Sequence, residues 1–185
     1  MPAFYLTFIA VLLAGFGARD QMTISGLAAR QGPRPGVLLA ALLSAGLTAA
    51  GASWAAAFML AQLPPPARMI FAAFAVGLAG LESLILVPRR RPKEPTNSLG
   101  ALLLVLLASQ IADAARFIVF AMGVGMAAPV ASGVAGALGG GILAGMAWAF
   151  PQFSSAPAAG WIRRGVGLLL VCAALMLFLR ESSIL

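Results

Sequence analysis

The sequence predicts an all-α polytopic membrane protein: six transmembrane helices arranged as two inverted three-helix repeats. Three observations lead there. The chain of 185 residues is 62% hydrophobic and only 9% charged, with a mean hydropathy of +1.01. That is more apolar surface than a soluble core of this size requires. Its apolar runs recur at lengths near the ~20 residues that cross a bilayer. They lack the two-residue alternation of a barrel strand, which leaves the helix as the segment that satisfies its own backbone in lipid.

Pro, Gly and Arg punctuation divides the chain into spans at 3–30, 35–61, 67–88, 98–123, 127–150 and 160–180. The first span has no basic leader and stays apolar beyond the core of a signal peptide, so it reads as more than a simple cleaved signal. "LPPPAR" between the second and third spans reads as a tight turn. "PRRRPKEPTNS" is the long polar segment. Its prolines remove donors and favour extended chain, so 89–97 reads as a basic linker between a first repeat at 1–88 and a second at 98–185.

The basic residues are distributed unequally. Eight follow the odd-numbered spans: Arg30, Arg34, Arg89, Arg90, Arg91, Lys93, Arg163 and Arg164. Two, Arg68 and Arg180, fall on the opposite side. The positive-inside rule then predicts odd loops in the cytoplasm and both termini outside, in a bacterial inner membrane. The net charge of +7 is accounted for by topology and lipid headgroups rather than by nucleic acid. The single Cys172 excludes an internal disulfide and is expected as a packed small side chain. With no histidine, Ser25, Ser44 and Ser109 have no imidazole to activate them. The glycine runs lie in apolar helices rather than after strands, so neither an enzyme nor a cofactor is expected.

A shift of 93 residues carries Asp20 onto Asp113, Ala28 onto Ala121, Gly32 onto Gly125, Val37 onto Val130 and Gly46 onto Gly139. Because each half has an odd number of spans, the halves enter the membrane in opposite directions, a transporter architecture with its site at the midplane. Small residues in "ALLSAGLTAAGAS" and "GVAGALGGGILAG" let helix backbones approach closely. The run Gly139–Gly141 also predicts a loosened, hinge-like stretch.

Asp20, Glu82 and Asp113 fall inside predicted spans. A charge at the centre of a span costs roughly 2.5–3.5 kcal/mol on insertion scales, so these groups are expected to face the bundle interior. Arg116 follows Asp113 by three positions, which predicts a shared helix face and an ion pair. Arg19 and Asp20 are adjacent and point apart. Asp20 is therefore expected to meet a group from the other half, Arg116 being the candidate. Glu82 either snorkels towards Arg89 or joins the site.

The stretches "DQMTISGLAARQGPRPGVLLAALLSAGLTAAG" and "DAARFIVFAMGVGMAAPVASGVAGALGGGILAG" resemble the two repeats of the Gdt-one type of calcium/manganese–proton antiporters. In that family the first helix of each repeat carries Glu-x-Gly-Asp-(Lys/Arg)-(Ser/Thr). Here Gly17 stands at the first Glu position, Arg19 at the Gly position, and Gln21 and Met22 replace the last two residues. In the second copy Gln110 stands for Glu, Ala112 for Gly, and Ala114 and Ala115 end the motif. Only Asp20 and Asp113 match.

The resemblance implies Mn²⁺ or Ca²⁺ exchange for protons, with Asp20 and Asp113 as metal ligands. Gln110 would supply a carbonyl oxygen and Thr23 a hydroxyl. Such cations want several hard, preferably anionic, oxygens, and two aspartates beside Arg19 and Arg116 make a nearly neutral site. Two alternatives stay open. One is transport of an anionic or zwitterionic solute bound by Arg19 or Arg116. The other is a non-transporting relative in which the charges form a structural network. The lipid bilayer is the expected partner; homo-oligomerisation is left open.

Overall fold

The computed structural model describes residues 2–86, 98–154 and 157–182. They form helices with no strand among the described residues. In chain order these are α1 (Pro2–Gly15), α2 (Arg19–Gln31), α3 (Pro35–Gln62), α4 (Pro65–Ile85), α5 (Leu99–Ile111), α6 (Ala114–Gly125), α7 (Pro129–Ala149), the short α8 (Pro151–Ser154) and α9 (Pro157–Glu181). The helices α3, α4, α7 and α9 are each long and apolar enough to cross a membrane.

The first and fourth sequence spans are not continuous helices. Each is a bent pair, α1 with α2 at 61° and α5 with α6 at 55°. Counting each pair as one crossing brings the number of crossings to at most six. The linker at 89–97, with Arg89, Arg90, Arg91 and Lys93, lies outside the described residues.

Local chemistry explains the helix ends. Prolines open α3, α4 and α7, where a fixed φ helps and a missing N–H costs nothing. Ser98 caps α5 by accepting the Ala101 N–H at 3.3 Å. The turn at "LPPPAR" is held by Arg68, which donates to the carbonyls of Leu60 at 3.0 Å and Leu63 at 2.9 Å. Those carbonyls belong to the last turn of α3 and the residue that caps it, where the helix has no donors of its own.

The most extensive packing joins α4 to α9 and α3 to α7. Glycine sets both distances. A Cβ on Gly80 would lie 2.8 Å from the Gly167 carbonyl, and one on Gly167 would lie 2.9 Å from the Gly80 carbonyl. On the α3–α7 seam a Cβ on Gly133 would meet Ser53 at 2.6 Å, while the Ser53 hydroxyl donates to the Pro129 carbonyl at 2.8 Å. The α1 helix packs on α7 through Val11 against Gly139 and Gly15 against Leu143, and Thr7 donates to Ser132 at 3.2 Å. Through Gly139–Gly141, α7 runs unbroken. Helical backbone hydrogen bonds persist, and the missing side chains serve close approach.

Packing between the halves is reciprocal. As α1 and α2 pack on α7, so α5 and α6 pack on α3. The outer surface is apolar, with Trp54, Leu104 and Leu169 about 70% exposed, as lipid-facing side chains are. Cys172 is exposed on this face of α9 rather than packed.

Candidate functional site

The two helix breaks carry the aspartates. At the first, Gly17 adopts a φ of +73, a left-handed conformation that glycine takes without a Cβ penalty. The Gln21 side chain stitches the break: its amide donates to the Gly15 carbonyl and accepts the Gly17 N–H at 3.1 Å. Away from water an unpaired backbone group is expensive, so a single amide serving both sides permits the bend. At the second break Asp113 is extended, with φ −94 and ψ 148, and precedes the first turn of α6. Asp20, in the first turn of α2, and Asp113 thus both sit at helix N-termini, whose free N–H groups favour negative charge.

Asp20 does reach across to the other half, but its partner is Gln110 rather than Arg116. The Gln110 Nε2 donates to Asp20 Oδ2 at 2.8 Å, and the Gln110 Oε1 accepts from Thr48 at 3.0 Å. Asp20 Oδ1 accepts the Gln21 N–H at 2.7 Å. Thr48 drew no attention in the sequence. Its only signal was a hydroxyl in an apolar span.

The expected Asp113–Arg116 pair does not form either. Asp113 stands outside the regular turn of α6, so the three-residue spacing that aligns side chains within a helix does not hold there. The partner of Asp113 is Arg163, with Nη2 at 3.7 Å from Oδ1. Arg163 also donates to Glu82, and Arg19 Nε lies 3.8 Å from the other Glu82 oxygen. Glu82 has joined the site instead of snorkelling. Arg19, Glu82, Arg163 and Asp113 therefore form a chain from α2 through α4 and α9 to the residue that precedes α6.

Arg163 corrects the loop count. It lies within α9 at 1% exposure, because that helix begins at Pro157 and turns this residue onto α4. Arg164, one position on, is exposed and lies 5.7 Å over the Trp161 ring.

Arg19 does more than pair with Glu82. Its Nη2 donates to the carbonyls of Ser109 at 3.3 Å and Ala112 at 3.4 Å, capping the end of α5 from the opposite half. Thr23 turns its hydroxyl back to the Arg19 carbonyl at 3.1 Å. Arg116 is buried between helices. Its Nη1 donates to the Gly136 carbonyl at 3.4 Å, and Nη2 rests where a Cβ on Gly140 would stand at 3.0 Å.

Chemically, the site holds three carboxylates and three guanidiniums, two of each linked in one ion-pair chain. Asp20 differs from the other acids. It is half-buried, its cross-half partner is a neutral amide, and no basic side chain of the described residues lies within 4.0 Å. Among the described residues no three His, Cys, Asp or Glu side chains converge as a metal centre. No protein-family model, curated protein or solved structure matches the chain.

Proposed function

We propose that this integral membrane protein is a divergent relative of the Gdt-one type of antiporters, moving a small cation, Mn²⁺ or Ca²⁺, against protons. The transport site lies between two inverted three-helix repeats, with both termini outside the cytoplasm. One observation carries the reading. Two spans are broken at positions 95–96 residues apart, an Asp stands at or just after each break with 93 residues between the two, and the first Asp is hydrogen-bonded to the last turn of the helix before the second break. Broken helices at corresponding positions of inverted halves are how secondary transporters place ion-binding groups in the membrane. The reciprocal packing of α1 and α2 on α7, and of α5 and α6 on α3, supports the same reading.

Asp20 is the carboxylate that alternates between proton and cation. Glu82 and Asp113 already face Arg163, whereas Asp20 gives up only a neutral amide when a cation arrives. Gln110 would add a neutral oxygen by turning its amide over, since Oε1 now accepts from Thr48 while Nε2 faces Asp20, and the modest donor set suits a cargo that must be released.

Flux into proteoliposomes tests this. A proton gradient is expected to drive Mn²⁺ or Ca²⁺ uptake, abolished by Asp20→Asn and reduced by Asp113→Asn. No flux by the native chain, or flux unchanged in Asp20→Asn, overturns the proposal. A second reading, a non-transporting structural network, is favoured by the Glu82–Arg163–Asp113 chain alone. It predicts that Asp113→Asn destabilises the protein and that no ion affects its melting.

A further inference from the structure

A cavity of about 780 Å³ opens between α3, α4, α5 and α6, away from the ion-pair chain. Its lining is aliphatic and aromatic apart from two residues, Thr48 and Arg116. The volume lies within the range of small-molecule sites. Its rim is formed by Leu47, Phe74, Leu78 and Ile111, each at least 50% exposed on the apolar outer surface. The mouth therefore faces sideways, where lipid chains lie.

Arg116 gives this cavity its chemistry. It is 5% exposed, its Nε has no hydrogen-bond partner, and the one hydrogen bond of its side chain goes to a neutral carbonyl. Arg19 and Arg163 each have a carboxylate within 4.0 Å. Arg116 has none among the described residues. Asp113 and Asp20 act on it only from beyond ion-pair distance; a buried guanidinium with no carboxylate in contact is costly, and the cost falls when an anion enters beside it. The molecule keeps space for the charged group: Gly140 lacks the Cβ that would press on Nη2.

We propose that the cavity binds the anion of a single-chain apolar carboxylic acid entering from the bilayer. Its carboxylate takes the charge-assisted hydrogen bonds of Arg116, with Thr48 beside it. Its chain lies against Phe71, Phe74, Phe117 and Phe120. A two-chain phospholipid fits less well. Arg116 lies near the middle of the α5–α6 span, below the level at which a headgroup rests. This inference does not rest on cation exchange. It does meet that site physically, since Thr48 reaches Asp20 through Gln110.

The test is saturable binding of carbon-14-labelled dodecanoate to the purified full chain in phosphatidylcholine nanodiscs. Unlabelled dodecanoate and dodecan-1-ol serve as competitors. The expected result is about one site per chain, competed by dodecanoate and roughly tenfold less well by the alcohol. Gly51→Phe fills the cavity from a position where a Cβ meets nothing within 4 Å, so the fold should survive it and binding should not. Arg116→Gln should weaken dodecanoate at least tenfold while leaving the alcohol unchanged. Equal competition by the alcohol overturns the carboxylate assignment, and dodecanoate binding retained in Gly51→Phe overturns the cavity. Should Arg116→Gln fail to fold, these two results still decide.

Discussion

The Gln110 side chain lies with its Nε2 2.8 Å from Asp20 Oδ2, tying the last turn of one half-helix to the first turn of another. The resemblance puts a Glu at this position. Gln110→Glu would set two carboxylates in contact, which is tolerable only if a proton or a cation stands between them. The variant is therefore expected to gain a Mn²⁺-dependent rise in melting temperature larger than that of the native chain. Gln110→Ala should instead lose about 1–3 kcal/mol of stability, with no metal response. Melting curves in detergent with and without Mn²⁺ check both, and a Gln110→Glu variant indifferent to Mn²⁺ would count against an ion site here.

Glu82 and Arg163 form a buried ion pair between α4 and α9. Removing either partner leaves the other, in a dry interior, with only its longer ion pair, Glu82 to Arg19 at 3.8 Å or Arg163 to Asp113 at 3.7 Å. Glu82→Gln and Arg163→Met are each expected to cost about 3–5 kcal/mol. Together they should cost clearly less than the sum, by at least ~1 kcal/mol, because each single variant already loses the shared Glu82–Arg163 contact and the double variant loses it only once. Additive losses in chemical denaturation would show that the two do not act as a pair.

Gly17 stands where the proposed relatives carry a Glu, and its backbone conformation disfavours any side chain there. Its φ is +73, and a Cβ there would approach the Ala159 Cβ at 3.2 Å. Gly17→Ala is expected to cost about 1–2 kcal/mol from the left-handed backbone alone. Gly17→Glu, which introduces the residue that the proposed relatives carry, should accumulate poorly in membranes. Normal yield and melting of Gly17→Glu would refute this account of the bend.

The α4–α9 seam offers a sharp contrast between glycines. Gly80→Ala would press a Cβ onto backbone atoms of α9 at 2.8 and 2.9 Å, which cannot swing aside. A loss of about 1–3 kcal/mol is expected. Gly46→Ala, where a Cβ meets nothing within 4 Å, should be neutral or raise stability by up to ~1 kcal/mol through helix propensity. Paired melting measurements on the two variants decide it.

Much of the fold was legible in the chain. The tight turn after α3, the prolines that open α3 and α7, and the close-packed small residues all follow from residue type. The place of Asp20 and Asp113 inside the first and fourth apolar runs was also readable, because it is a matter of counting along the chain. Their partners were not. Arg116 was assigned to both aspartates by helix-face geometry, yet at both breaks that geometry is interrupted, and Gln110 and Arg163 take its place. Arg163 was hidden for a different reason. A single Arg near a span end reads as a topology signal until the facing Glu82 on α4 is known.

Composition and run length by themselves determined that this chain is helical and lies in a membrane. Lipid leaves an apolar segment no other way to satisfy its backbone, and it drives charges inward. Tertiary structure alone decided which charge meets which. Two bends, of 61° and 55°, interrupt the regular turn on which any sequence-based face assignment depends. Once the turn is interrupted, the partner of a side chain is set by the neighbouring helix. How near that helix comes is fixed by glycines such as Gly80 and Gly140, far from the aspartates in sequence.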